Sequence, residues 1–591
     1  MMRAAARGVQ GHGGNAAERP AALRNIAASR VSNPCIHARG APGRVNGGFT
    51  PSLPPPRILD RFASTGFPLR PAVLTLALVL ALGAATGRSQ ELPDIGSSAG
   101  ELITPAQQAE YGAMLLAQLR HHDYLLEDPL LDSWLDTLGT RLAANSDQPR
   151  QPFTFFLMRQ REVNAFATLG GYIGLNAGLV LAAEREDEVA AVLAHEIAHV
   201  TQAHVLRGVE RAQRDQLPIL LAMLGAIVAA QAAGGNSSDD AAQAAIVSAM
   251  GLMQQRQIDY TRSNEHEADR IGIQTLARSG FDPMAMADFF GTMERRSRVN
   301  QAGIFDTPDY LRTHPVNTTR ISEAKERAGQ LARAPQAFDA GMRSDNPLLP
   351  SGVDLSATAR AAAGASGRFD FARERMRVFS AETPRAAIRD YERAATRRPL
   401  GAAQRYGLAV ARLRAGEASA AAGEFDALLA KAPNDAWLSL GLAEAHARAG
   451  RHAQADALFD ALLRATPDNR AVVLTYAAAL AERGSPEAGR RAQAVLRPLA
   501  ARAGDDAVFQ RTMGRAHEVA GDAVRAGEAF AEAAYLGGRA EQALVQLNRL
   551  KARGDLDYYA RARIDARIAQ ITPTVLELKR QGVRDPDLKR R

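Results

Sequence analysis

Three kinds of residue keep step along the C-terminal half of the chain. Pro399, Pro433 and Pro467 lie 34 residues apart, as do Gly416, Gly450 and Gly484; Gly407 and Gly441, and Phe425 and Phe459, are separated by the same interval. A period of this length holds two helices and a turn, and its small residues let the paired helices pack closely. One such unit cannot bury its own apolar face. The units must therefore stack, and the stack leaves a concave surface suited to peptides or protein partners. A further degenerate unit is expected from about Asp506 to Gly538. The alternative is an unrelated Ala-rich helical bundle, but three residue types sharing one period count against it. The repeats are placed over residues 385–545, and a basic helix and tail over 546–591 close the stack.

A chemical signal stands in the other half. Val192-Leu193-Ala194-His195-Glu196-Ile197-Ala198-His199-Val200 reads H-E-x-x-H within an apolar, helix-forming run. Four residues make about one helical turn, so His195 and His199 project from one face. Two imidazoles so placed can hold one Zn²⁺, and Glu196 lies near the metal without binding it, placed to act as a general base. The bland alternative is two chance histidines on an amphipathic helix. With 12 His in 591 residues, such a match by chance is on the order of one per cent.

A two-histidine zinc site needs a third protein ligand and an open fourth position. Glu265, 66 residues after His199, is the candidate, with Glu267 as an alternative. Asp269 falls one turn after Glu265, where it could accept a hydrogen bond from a ligating histidine. Taken alone, the pair also suits an exposed acidic helix face. A metzincin would require glycine and histidine where this chain has Gln202 and Val205, which excludes that class. His204 is expected beside the ligands or in a structural role, not as a ligand.

The formal charge of +8 belongs to the leader. Residues 1–90 carry 11 Lys+Arg and 2 Asp+Glu, which leaves 61 basic and 62 acidic side chains in the rest. The body thus offers no charge argument for nucleic acid. Cys35, the only cysteine, also lies in the leader. Residues 1–68 read as disordered. Arg70 then precedes an apolar run, Pro71 to Leu82, and Gly83-Ala84-Ala85, the pattern of a secretory signal. An uncleaved anchor is the alternative; either way the body is exported, to the periplasm.

Residues 101–148 read as helical, with a boundary at Asp128-Pro129. Phe153 to Met158 is a strand candidate, and Gly170-Gly171 separates two extended runs as a hairpin turn or bulge. Such strands could be a plain hairpin or could border the cleft and pair with a peptide. Residues 217–253 read as two apolar helices folded back on each other, a lid or an element touching the membrane peripherally, with a true span as the alternative. Residues 331–384 read as a linker with a short helix near Phe369–Phe379.

His195-Glu196-x-x-His199 followed by Glu265-x-x-x-Asp269 resembles the gluzincin pattern of the HtpX and CAAX prenyl protease family, as do Asn164-Ala165-Phe166 and Gly170-Gly171-Tyr172 ahead of the helix. The 34-residue step is the tetratricopeptide period. Leader and repeats together resemble the exported, BepA-like branch of that family, linked to outer-membrane protein quality control. The resemblance implies one Zn²⁺ per chain held by His195, His199 and Glu265, with Glu196 and Asp269 as the catalytic pair: Glu196 as base, Asp269 behind a ligand. Thr313-His314-Pro315 resembles the segment whose histidine can fill the fourth zinc position in that branch; a loop histidine before a proline turn is the alternative. Protein or peptide substrates and docking to outer-membrane assembly machinery through the repeats are implied; the rival role is a chaperone or assembly factor with latent proteolysis. The fold class expected is mainly α: an α+β metalloprotease domain with a small hairpin or sheet over 91–330, then a helical solenoid.

Overall fold

Helix starts are written into the chain by their caps. Thr104 and Gln107 form a capping box and Pro105 opens α1 (Pro105–His121). Asp128 accepts from the Leu131 backbone N–H at 3.1 Å and Pro129 opens α2 (Pro129–Ala144). Side-chain acceptors at these positions satisfy backbone donors that the first turn leaves free. The structure, a computed structural model, describes residues 103–208, 210–211, 261–301, 309–333 and 366–580. All of them belong to one unit, Leu92–Arg591. The leader with its signal and the 217–253 segment lie outside the described residues.

Three short strands follow: β1 (Thr154–Met158), β2 (Ala165–Thr168) and β3 (Tyr172–Asn176). Their order is β1-β3-β2, with β1 parallel and β2 antiparallel to the central β3. The hairpin turn expected at Gly170-Gly171 joins β2 to β3. Gly171 has φ of 80°, and a Cβ there would meet the Pro152 carbonyl oxygen at 2.2 Å, so only glycine fits. β2 pairs on one side only among the described residues.

A short helix, α3 (Ala177–Ala182), leads into α4 (Glu186–Thr201), which carries the H-E-x-x-H. Every side chain from Val189 to Ala198 is buried. A helix buried all round in this way belongs inside a domain. Glu186, Asp187 and Glu188 in its first turn complement the positive end of the helix dipole. Against α4 packs a helix over 261–278, α5. Gly272 lets the two backbones approach, since a Cβ on it would lie 3.1 Å from the His195 nitrogen. Then come α6 (Ala285–Gln301), α7 (Asp309–Thr313) and α8 (Thr318–Arg333). Among the described residues no helix is long and apolar enough to cross a membrane.

The short helix expected at Phe369–Phe379 is present as α9. It starts a run of helix pairs: α10 (Pro384–Arg397), α11 (Ala402–Arg414), α12 (Ala418–Leu429), α13 (Ala436–Arg448), α14 (His452–Ala465), α15 (Arg470–Glu482), α16 (Pro486–Leu496), α17 (Ala507–Val519), α18 (Ala523–Leu536), α19 (Ala540–Lys551) and α20 (Tyr558–Arg580). The periodic residues now have physical roles. Gly416, Gly450 and Gly484 follow the ends of α11, α13 and α15 with φ of 86°, 75° and 72°, the left-handed turn that ends a helix. Gly441 makes room for an aromatic ring: a Cβ on it would meet Phe425 at 2.6 Å. The aromatic column steps back from Phe459 and Phe425 to Tyr391, which occupies the same place against Gly407. Where the third glycine would stand the chain has Thr475, and Phe459 stacks instead on Tyr476 at 4.4 Å.

The repeats grip the N-terminal half. Arg375 of α9 donates twice to Asp128, both at 2.6 Å, with only 11% of its side chain exposed. Buried Glu186 accepts from Trp134 Nε1 at 2.6 Å and from the Ser366 hydroxyl at 2.5 Å. Arg470 lies 3.3 Å from Asp132, and Arg120 donates to the Leu536 carbonyl at 2.9 Å. One cluster of buried apolar side chains runs from Leu126 through α4 to Ala516.

Candidate metal centre

One helical turn on α4 brings the Nε2 atoms of His195 and His199 to 3.0 Å. From α5, Glu265 places one oxygen 3.4 Å from His195 Nε2 and the other 3.4 Å from His199 Nε2. His314, just after α7, turns its Nδ1 to within 3.4 Å of His195 Nε2 and 3.0 and 3.1 Å of the two Glu265 oxygens. These four side chains offer ligand atoms that all lie within 4.8 Å of one another. A tetrahedral zinc with bonds of about 2.0–2.1 Å keeps its ligand atoms about 3.3 Å apart, so spacing and donor chemistry fit that ion. Sequence spacing paired the first two; folding adds the other two.

Each remaining expected residue has a definite place. Asp269 Oδ1 is 3.0 Å from His195 Nδ1, the ring nitrogen facing away from the cluster. Glu196 is buried, and its Oε1 has no hydrogen-bond partner among the described residues, lying 3.5 Å from His314 Nε2. His204 stays outside the cluster and sets its Nδ1 2.8 Å from His199 Nδ1. Glu267 turns to His204 at 3.2 Å and Arg207 at 2.8 Å and does not enter the cluster.

The residue that spacing did not reveal is Arg320 on α8. It is 2% exposed and donates to both Asp269 oxygens, at 2.7 and 2.8 Å. Its third nitrogen lies 3.0 Å from Glu265 and donates to the Pro315 carbonyl at 2.7 Å. One guanidinium thus ties a ligand candidate, its neighbouring carboxylate and the His314 segment together. A signal existed: Arg320, Ala324 and Ala328 form the buried stripe of α8 at helical spacing, and a cation in such a stripe calls for a buried anion. Tyr310 is also fully buried, its hydroxyl unpartnered among the described residues and its ring 4.9 Å from that of His314.

The site asks for positive charge. Burial works against an imidazolium at His195, yet hydrogen bonds to Asp269 and Glu265 overcome it and push its pKa up to about 10. Burial also opposes the Glu265 carboxylate, but His195, His199 and His314 hold it well below its ordinary range. Burial keeps Tyr310 protonated, and the negative charge of Glu196 adds to that. A divalent cation would supply the charge these carboxylates draw from the imidazoles.

Comparison with known proteins fits this geometry. Residues 129–328 match Peptidase family M48, and residues 412–480 match the tetratricopeptide repeat. A putative beta-barrel assembly-enhancing protease of Vibrio cholerae is 44% identical over 240 residues, 41% of this chain and 48% of the relative. The beta-barrel assembly-enhancing protease of Escherichia coli (strain K12) is 37% identical over 263 residues, 44% of this chain and 52% of the relative. The mitochondrial metalloendopeptidase OMA1 of Arabidopsis thaliana is 26% identical over 198 residues, 34% of this chain and 36% of the relative. The chain spans about half the length of the first two relatives. Residues 129–328 are thus similar to peptidase family M48, in a chain that goes on into a match to the tetratricopeptide repeat.

Proposed function

We propose that the chain is a zinc-dependent endopeptidase of the cell envelope that acts on misfolded or misassembled outer-membrane proteins, with its repeats docking clients or an assembly partner. One observation carries the reading: four nitrogen and oxygen donors converge within 4.8 Å beside the buried, unpartnered Oε1 of Glu196. His195, His199 and Glu265 would hold the ion. When bound, zinc supplies a Lewis acid that polarises the scissile carbonyl and acidifies water. Glu196 accepts the water proton at Oε1 and passes it to the leaving amine. Asp269 holds the His195 ring through Nδ1, and Arg320 holds Asp269. The edge of β2, unpaired among the described residues, could take an extended peptide as an added strand. The names of the relatives and the signal-like pattern of residues 70–85 support the envelope and outer-membrane part of the reading.

His314 occupies the place that water and substrate need, so the resting enzyme is closed. Its departure, with that of the Pro315 segment tethered to Arg320, would open the site. The same plug favours a second reading, in which the chain works chiefly as an assembly factor and its proteolysis is latent.

The test compares wild type, Glu196→Gln and His314→Ala for bound zinc and for cleavage of an unfolded protein. Zinc near one per chain in all three, no cleavage by Glu196→Gln and faster cleavage by His314→Ala are expected. Zinc without cleavage in any of them would favour the assembly-factor reading, and absence of zinc would remove the metal centre.

A further inference from the structure

At the far end of the repeats, a cavity of about 550 Å³ opens between α17, α18 and α19. Its wall holds four arginines and no carboxylate. Arg511 is paired with Glu127 at 3.2 Å and Arg553 with Asp555 at 2.6 Å. Arg539 and Arg549 have no carboxylate partner among the described residues, and the Nε of Arg539 is buried without a hydrogen bond. Gln542, Gln546 and Arg549 fall at helical spacing on one face of α19, and Arg553 follows just beyond its end. The side-chain oxygens of both glutamines are buried and unpartnered. The nearby acids face elsewhere: Glu528 pairs with Arg563 at 3.1 Å and Glu532 with Arg567 at 2.6 Å, both toward α20. Phe530 and Leu550 give the cavity an apolar floor.

We propose that this cavity docks an acidic peptide segment of another protein. Two guanidiniums without a carboxylate among the described residues call for one. Two unpartnered amide oxygens call for N–H donors, which buried acceptors need. A peptide brings both, and its apolar side chains can cover Phe530. Phosphates of a nucleic acid or a lipid headgroup bring acceptors only. The chain's own segments outside the described residues carry no acidic run longer than Asp239-Asp240, so the occupant comes from another protein. The inference rests on the docking role proposed for the repeats and is independent of the peptidase chemistry.

The test uses the full chain carrying Glu196→Gln, so that the probe is not cut. A dye-labelled octapeptide of alternating glutamate and leucine is titrated and its anisotropy read. Arg549→Glu, on an exposed side chain, is expected to weaken binding by about tenfold or more. Replacing Gln542 and Gln546 by methionine keeps the volume, removes both acceptors and is expected to weaken binding severalfold. Thermal unfolding checks that each variant folds, and a peptide with lysine for glutamate is expected not to compete. Equal binding by the parent and by both folded variants overturns the proposal. So does an oligonucleotide of equal charge that displaces the peptide as well as unlabelled peptide does, with no loss in the methionine variant. Cleavage of an unfolded protein by the chain with Glu196 intact runs alongside. No peptide binding by the parent, with cleavage by the Glu196 chain intact, refutes the docking inference alone, and no cleavage with peptide binding by the parent intact refutes the peptidase reading alone.

Discussion

The repeats and the metal centre are built on opposite principles. In the repeats, each device recurs at a fixed step and acts on its neighbour: a glycine ends a helix, and an aromatic ring fills the gap beside the next glycine. Gly416, Gly450 and Gly484 all carry positive φ for the same local reason. In the metal centre nothing repeats. Two histidines share one turn of α4, but Glu265, His314 and Arg320 arrive from α5, the end of α7 and α8. Stability in the repeats is therefore distributed over near neighbours, whereas the centre depends on single contacts between segments far apart in the chain.

If that contrast holds, the largest effect belongs to Arg320. Arg320→Met leaves Asp269 and Glu265 buried without their cation, which costs about 3–5 kcal/mol when one partner of a buried pair is removed. Urea unfolding and zinc content should both register it, and an unchanged variant would mean that the centre is locally organised after all. Next comes His204, whose Nδ1 lies 2.8 Å from His199. His204→Ala should weaken zinc binding about 10–100-fold, read by competition with a chelator, because it supports the His199 ring. Smaller still is Gly450→Ala. Its φ is 75° and no atom lies within 4 Å of the added Cβ, so only the left-handed backbone strain of about 1–2 kcal/mol is felt. Equal costs for the same change at Gly416 and Gly484 would sharpen the picture of interchangeable units.

The seam between the two regions should show itself as a pH dependence. Burial pushes Asp132 up to about 7, against the pull of Arg470, with Asp128 and Glu127 adding repulsion. A carboxyl whose folded pKa exceeds its unfolded value of about 3.9 binds its proton more tightly when folded. Its contribution to stability is therefore complete below about pH 4 and declines as pH rises toward 7. Asp132→Asn should gain stability relative to wild type across that window, measured by urea unfolding at pH 5 and pH 8. A gain that shrank with rising pH would show that Arg470 outweighs burial there.

Much of this was legible in the chain because it is local. Asp128-Pro129 caps α2, Gly170-Gly171 turns β2 into β3, and H-E-x-x-H shares one helical turn; each needs only its neighbours. Glu265 and Asp269 were legible at one remove, since a zinc site with two histidines requires another ligand. Arg320 was not, because an arginine on a helix is ordinary until its depth is known. The same holds for Arg375 on Asp128 and for Glu186, which bind the two regions together across more than a hundred residues of chain.

By itself, then, the sequence determined the helices and their ends, the 34-residue stack and the pairing of His195 with His199, all set by periodicities of 3.6 and 34 residues acting over short range. Tertiary structure alone decided which cation holds Asp269 and which arginines near α19 remain without an acid among the described residues. Those depend on burial, and burial is a property of the packed chain, because a charge acquires its cost and its need for a partner only when water has been removed from around it.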